Sequence, residues 1–433
     1  LINGVVFPDR TPKPALYVCK YVFQPVTFQL TDGNQVKVTN RNFFDSTARY
    51  SYSWELKDEN GTLQKGTFEV PLLAPGQSAV ASVPVKEFKR KPGAVYMLEV
   101  HAHENAALPY AEAGFICASE PFVTEVPAAA PASAKGKAPV VTESEGCYVI
   151  AAGKNVARID KNSGMLCGYA VSGSETIADS FKPNFWRAGT DNDRRGWKAE
   201  ELMGQWMNVN ADNVKVISSV NGTDAVVEAV VTSEGKAVIC LKYTMHPDGT
   251  LDVGYDIRID EQMPEPLRIG LQGQIDSSYS DVTYFGLGPW ENYCDRHAGV
   301  FLGTYKTDVK GLMTDYVYPQ ENGNRTGVRW FTLTDKTGKG IQFTGDAPLS
   351  ISAWNTAQES LEAAKHIGEE ELLEGSFVLN VDHAQAGVGG TDTWSIKARP
   401  EVHHRLLDKA YSYSFTIRPV KDFKDAVNAA RSR

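Results

Sequence analysis

No two cysteines in this chain lie close enough in sequence to form a recognisable metal or redox motif. The six, Cys19, Cys117, Cys147, Cys167, Cys240 and Cys294, are scattered and form no C-x-x-C, so neither a zinc site nor a thiol redox motif is supported. No apolar run approaches the roughly 20 residues that a bilayer-crossing helix needs, and no membrane partner is expected. A basic excess is also missing. The net charge is −9, whereas a nucleic-acid partner would favour a positive stripe. There is no G-x-S-x-G and no P-loop, and GVGG at 387–390 lacks the strand–helix setting that phosphate binding requires. The strand–helix alternation of a (β/α)₈ barrel is absent as well. The chain opens on Leu1-Ile2-Asn3-Gly4, with no basic segment followed by an apolar one. It is expected to begin inside a longer protein, so its compartment is left unassigned.

What the sequence does contain is alternation of period two, the signature of strands. Tyr50, Tyr52, Trp54 and Leu56 alternate with polar residues, and Asn60-Gly61 predicts a type I′ hairpin turn after them. The same pattern recurs at Val26-Phe28-Leu30, Val36-Val38 and Val95-Met97. About 100 residues of short strands with frequent turns read as an immunoglobulin-like β-sandwich. Cys19 and Cys117 could meet across it, or stay as buried free thiols. Residues 126–139, rich in Pro, Ala and Lys, read as a linker. Strands resume at Cys147–Ile150, and residues 225–259 predict three or four hairpin-linked strands between turns at Ser233-Glu234-Gly235 and Pro247-Asp248-Gly249. Helical signals are few. Thr356-x-x-Glu359 suggests a capping box ahead of Leu361 and Ala364. Lys198–Met207 suggests a helix pairing Leu202 with Trp206, and the residues from Asp422 read as a helical or a disordered tail. The fold class is all-β.

Five runs occur in order along the chain: NGVVFPDRTPKPAL at 3–16, PNFWRAGTDNDRRG at 183–196, FGLGPWENYCDR at 285–296, DYVYPQENGNRTGVRW at 315–330 and GVGGTDTW at 387–394. Together they resemble the C-terminal portion of the β-galactosidases of the second glycoside hydrolase family. The resemblance implies a stub from the end of a catalytic barrel at 1–18, an Ig-like domain at 19–124 and a linker at 125–140. A large antiparallel β-sandwich similar to galactose mutarotases would follow at 141–421, with a tail at 422–433. It further implies a retaining glycosidase acting on terminal β-galactosides, whose catalytic glutamates lie on the absent barrel, so this chain alone should hydrolyse nothing. The partners implied are that N-terminal barrel, the galactoside substrate and, for the full-length protein, further copies in a homo-oligomer. Magnesium and sodium would belong to the barrel; no cofactor is expected in this chain.

Single residues carry the site expectations. Trp394 follows three glycines and Thr391-Asp392-Thr393. On such a loop an indole can offer its face to the apolar side of a sugar, and by resemblance it sits at the lip of the barrel's galactose pocket; a core or interdomain tryptophan is the other reading. Thr190–Gly196 matches a family loop that moves when ligand binds, with Gly196 as hinge and with Arg194-Arg195 where related sequences often carry one residue. Alternatively the loop is static, with Arg187 paired to Asp191 or Asp193. Asn3 matches an asparagine that helps ligate sodium, a vestigial role without its barrel partners. Glu291-Asn292 and Glu321-Asn322 read as structural turns in which the amides bond nearby backbone. His101 and His103 share one strand face but lack a third ligand, and His403-His404 would point to opposite faces if extended. A free-standing carbohydrate-binding module is one rival reading. A mutarotase-like epimerase, with His297 or His383 as its acid, is another.

Overall fold

A computed structural model describes residues 4–129 and 134–433 and divides the chain into two compact units. The first takes residues 4–129 with His297–Thr304 and Val427–Arg433. Its helix, Pro14–Val22, starts on a proline at the one turn where no backbone donor is needed. Two antiparallel sheets then form an Ig-like sandwich. One orders Val26–Asp32, Gln35–Asn40 and Ser78–Ser82; the other orders Gly61–Thr67, Tyr50–Asp58, Val95–Glu104 and Ile116–Glu125. The predicted alternation becomes the core, with Tyr52, Trp54 and Leu56 packed among Val26, Phe28, Val36, Val38 and Val100. Each such aliphatic side chain contributes about 1.5–3 kcal/mol on leaving water.

Two local expectations of this unit fail. Leu30 lies on the exposed end of its strand. The hairpin after Asp58 turns on Glu59-Asn60, since Asp58 pairs with Gly61. The Asp58 carboxylate accepts the Asn60 N–H at 2.8 Å, neither central residue has positive φ, and the positive φ falls on Gly61. The turn is therefore an Asp-stabilised one, not type I′. Cys19 and Cys117 are free thiols, and burial pushes the Cys117 thiol up to about 12.

The second unit is a network of antiparallel strands that closes on itself. Asp224–Ser233, Ala237–Met245 and Leu251–Ile259 form the three hairpin-linked strands, paired without register shifts. Gly340–Trp354 is long because it serves three neighbours: it pairs with Arg325–Thr334 along both halves, while its first part also pairs with Ala410–Val420 and its last part with Ser376–Gln385. The odd residues Ile269, Leu271, Ile275, Phe377, Leu379 and Val381 enter the main apolar core. Their even neighbours Arg268, Gln272, Asn380 and Asp382 face away from it yet stay mostly covered, so this sheet buries a polar face as well. Among the described residues no helix is long and apolar enough to cross a membrane.

The helical expectations change in detail. Gln358–Ala363 is helical, but its N-cap is Ala357, and the Thr356 hydroxyl instead donates to the Glu371 carbonyl at 2.7 Å. The Lys198–Met207 stretch splits into an α-turn, Ala199–Met203, and a 3₁₀ turn, Gly204–Trp206. The tighter winding breaks the i,i+4 register. Leu202 stays exposed, while Trp206 is buried against Phe185 with ring centroids 4.8 Å apart. The tail forms a helix, Phe423–Arg431.

Candidate functional site

Two segments singled out in the sequence, 190–196 and 387–394, meet in the second unit. Arg187 is the anchor. Its guanidinium is fully buried and grips Asp193 bidentately, Nε to Oδ2 and Nη2 to Oδ1, both at 2.9 Å. It also donates to the carbonyls of Ala386 at 2.6 Å and Gly387 at 2.9 Å, fixing the start of the tryptophan loop. Asp193, not Asp191, is thus the partner; Asp191 lies 3.9 Å from Arg195 at the surface. The Asp193 carboxylate also accepts the Thr190 N–H at 3.0 Å.

Asn192–Trp197 winds as a π-turn. Gly196 is needed for close approach. A Cβ there would strike the Ala398 side chain and sit 2.5 Å from the Ser395 carbonyl oxygen. The Asn192 amide ties the same two segments, donating to the carbonyls of Ala398 at 2.9 Å and Asp392 at 3.3 Å.

Above this base Trp394 is 78% exposed. Its backbone is held from below, because the Asp392 carboxylate accepts the N–H groups of Trp394 at 3.2 Å and Ser395 at 3.0 Å and the Ser395 hydroxyl at 2.7 Å. These bonds, Ser395's first, keep the Asp392 carboxyl below its usual range. Gly387, Gly389 and Gly390 were expected to free the backbone for unusual conformations, but none has positive φ. Gly387 and Gly390 are required because Asp295 and the Ala398 backbone pass where a Cβ would lie. Asn3 falls outside the described residues.

The remaining candidates resolve into structural roles. Glu291 is buried, bonded to Arg296, to the Tyr316 hydroxyl at 2.5 Å and to the Gly323 N–H at 2.7 Å. Burial opposes its ionisation, but these partners win and hold its carboxyl below the usual range. Glu321 is buried on Arg268 at 2.9 Å. The Asn292 amide donates to the carbonyls of Leu287 and Trp290, and the Asn322 amide to that of Gln320, all at 3.0 Å, as turn-forming asparagines do. Neither glutamate reaches solvent to protonate a leaving group. His103 spends both ring nitrogens on Ser53 and the Gly114 carbonyl, while His101 spends one on Ser119 and holds the other 3.7 Å from Glu99. His403 and His404 lie in a 3₁₀ turn, not a strand, and their rings come within 4.0 Å. His383 packs against Tyr411 and Tyr413 and makes no hydrogen bond to the neighbouring Asp382, whose carboxylate oxygens are unsatisfied, so these two form no hydrogen-bonded acid–base pair. What the sequence did not single out is Asp382 itself. It is fully buried 3.5 Å from Arg268, with both carboxylate oxygens lacking a hydrogen bond. Burial drives its carboxyl up to about 7, with Arg268 opposing and Glu321 adding to the rise.

Residues 152–417 match the family described as beta galactosidase small chain, and residues 36–125 match beta-galactosidase, domain 4. The chain belongs to the beta galactosidase small chain family. The small-chain match holds Arg187, Gly196 and Trp394 alike. Among curated relatives, a Beta-galactosidase of Priestia megaterium is 30% identical over 96% of this chain and 41% of its own length. One of Photobacterium profundum is 28% identical over 96% of this chain and 42% of its own. The chain therefore spans about two fifths of the length of these relatives. Among solved structures, galactose 1-epimerase from Lactobacillus acidophilus NCFM aligns over 67% of this chain and all of its own, at 7% identity and a TM-score of 0.38.

Proposed function

We propose that this chain is the non-catalytic C-terminal part of a retaining β-galactosidase that cleaves terminal β-D-galactosyl residues. It braces an N-terminal (β/α)₈ barrel and sets Trp394 at the lip of the sugar pocket. The observation that carries this reading is the exposed indole on a loop clamped by Asp392, Asn192 and Gly196. An indole of roughly 150–250 Å² left in water on a rigid mount forgoes several kcal/mol of burial. A mount that rigid holds a stacking surface ready for a ligand. Substrate positioning is the effect such a residue has on catalysis. The buried Arg187–Asp193 pair supports a loop fixed at its base, so any ligand-linked movement belongs to its exposed tip.

The sodium and magnesium of this reading belong with the barrel. Among the described residues no three His, Cys, Asp or Glu side chains converge as a metal requires, and no step is assigned to a metal here. The test is hydrolysis of a chromogenic galactoside by a barrel-containing N-terminal fragment, with and without this chain. The chain should restore activity, and Trp394→Ala should restore it with kcat/KM lower by about 10–100-fold. Equal restoration by chain and variant would reduce the chain to a brace.

A further inference from the structure

A cleft of about 420 Å³ opens on the polar side of the sheet formed by Ile177–Asn184, Arg268–Asp276 and Ser376–Gln385. It is lined by Asn184, Gln272, Gln274 and Gln358, with Trp186 and Trp206 in its wall. Trp394 and the 190–196 loop take no part in it. At its floor the side-chain amides form a chain whose polarity has one solution. The Arg268 guanidinium can only donate, and it donates through Nη1 to Asn380 Oδ1 at 2.7 Å. That oxygen is therefore the acceptor, and Gln272 at 3.0 Å and Asn184 at 3.3 Å must meet it with their NH₂ groups. The same two NH₂ groups reach Gln358 at 3.1 and 3.0 Å, so Gln358 must present its oxygen to them.

The consequence appears at the cleft. Gln272 turns its carbonyl oxygen away from the chain and Gln358 turns its NH₂ away, and neither group has a hydrogen-bond partner among the described residues. A buried charge thus fixes an acceptor on the sheet, at Gln272, and a donor on the neighbouring helix, at Gln358. A hydroxyl, which donates and accepts at once, is the group that answers both. The charges nearby are Lys182, paired with Asp179 at 3.1 Å, and Glu359, which leave no positive field for a phosphate or carboxylate. The tilted Phe185–Trp206 ring contact and the Trp206 indole bond to the Pro264 carbonyl at 2.9 Å keep the wall in place.

We infer that this cleft is a second saccharide-binding site, for a neutral, hydroxyl-rich sugar, separate from the Trp394 loop and independent of the role proposed for it. The full chain is titrated with lactose and with methyl β-D-galactoside by saturation-transfer NMR, and galactose 6-phosphate serves as the charged control. Lactose or the galactoside should bind saturably, and galactose 6-phosphate more weakly. Gln358→Glu is nearly isosteric, keeps the oxygen facing Asn184 and Gln272 and removes the outward donor. It should weaken binding about tenfold, as should Gln272→Met, which keeps the length and removes the outward acceptor together with the inward NH₂ that meets Gln358 and Asn380; either variant alone suffices should the other not fold. Trp394→Ala should leave binding unchanged. Absence of binding, full binding in a folded Gln358→Glu or Gln272→Met chain, or tighter binding of the phosphate would each overturn the inference. Loss of binding in Trp394→Ala with retention in the amide variants would also overturn it, while leaving the pocket-lip reading of Trp394 standing.

Discussion

Arg187 and Arg268 are both fully buried in the second unit, and the structure treats the two charges differently. Arg187 bonds one carboxylate, meets it with two parallel bonds and spends two further donors on carbonyls. Arg268 stands among two carboxylates, Glu321 and Asp382. It bonds the first at 2.9 Å and stays 3.5 Å from the second, with its Nε and both Asp382 oxygens unsatisfied. A buried ion pair offsets its desolvation only when the geometry is good and the spare donors are used. By that standard the first arrangement is a structural clamp, tying 187–193 to the start of the tryptophan loop. The second holds one more acid than it can ionise, and the acid pushed up to about 7 is Asp382. What the second arrangement gains is orientation, since Arg268 also sets the amides that reach the cleft.

The largest effect should come from breaking the clamp. Asp193→Ala leaves a buried guanidinium without its counter-charge and should cost about 3–5 kcal/mol in denaturant unfolding. A loss under about 1 kcal/mol, the range of an exposed pair, would erase the distinction between the two arginines. Gly196→Ala comes next. It places a methyl against Ala398 and the Ser395 carbonyl and should cost about 1–3 kcal/mol by overpacking. Chymotryptic cleavage after Trp394 should quicken with it, because the displaced segment is the one that carries the loop. Unchanged cleavage would mean that the π-turn and the tryptophan loop are not mechanically joined.

Much of the fold was legible because its alternation is honest. Tyr52, Trp54 and Leu56 point inward as read, and the hairpins between 224 and 259 keep strict register. Trp394 and the 190–196 loop stood out because a bulky ring and a polar cluster sit where neither a core strand nor a linker would place them. The physical reason for Gly196 was not legible, since Ser395 and Ala398 lie far away in sequence. The polar face of the second sheet was hidden for a different reason. Gln272, Gln274 and Asn380 alternate with apolar neighbours like any solvated strand face, and nothing local announces that Glu321 and Gln358 fold over them. The Asn60-Gly61 turn failed because Asp58, one residue before the turn, caps it.

The subtlest effect separates the two arginines by pH. Asp382 carries a folded-state pKa of about 7 against an ordinary 3.8. Between those values the folded chain keeps a proton that the unfolded chain has released, so stability falls as pH rises through this window. Glu321, also raised, adds to that slope, and Glu291, held below its usual range, contributes in the opposite sense on acidification. The total curve therefore mixes signs, and the difference between wild type and one variant isolates Asp382. Asp382→Asn removes the titration while keeping the shape. Its stability relative to wild type should rise steadily from pH 4 to pH 7, with a net effect at pH 4 within about 1 kcal/mol. A difference that stays flat across the window would mean that Arg268 holds Asp382 ionised throughout, and the two buried arginines would then be doing the same thing.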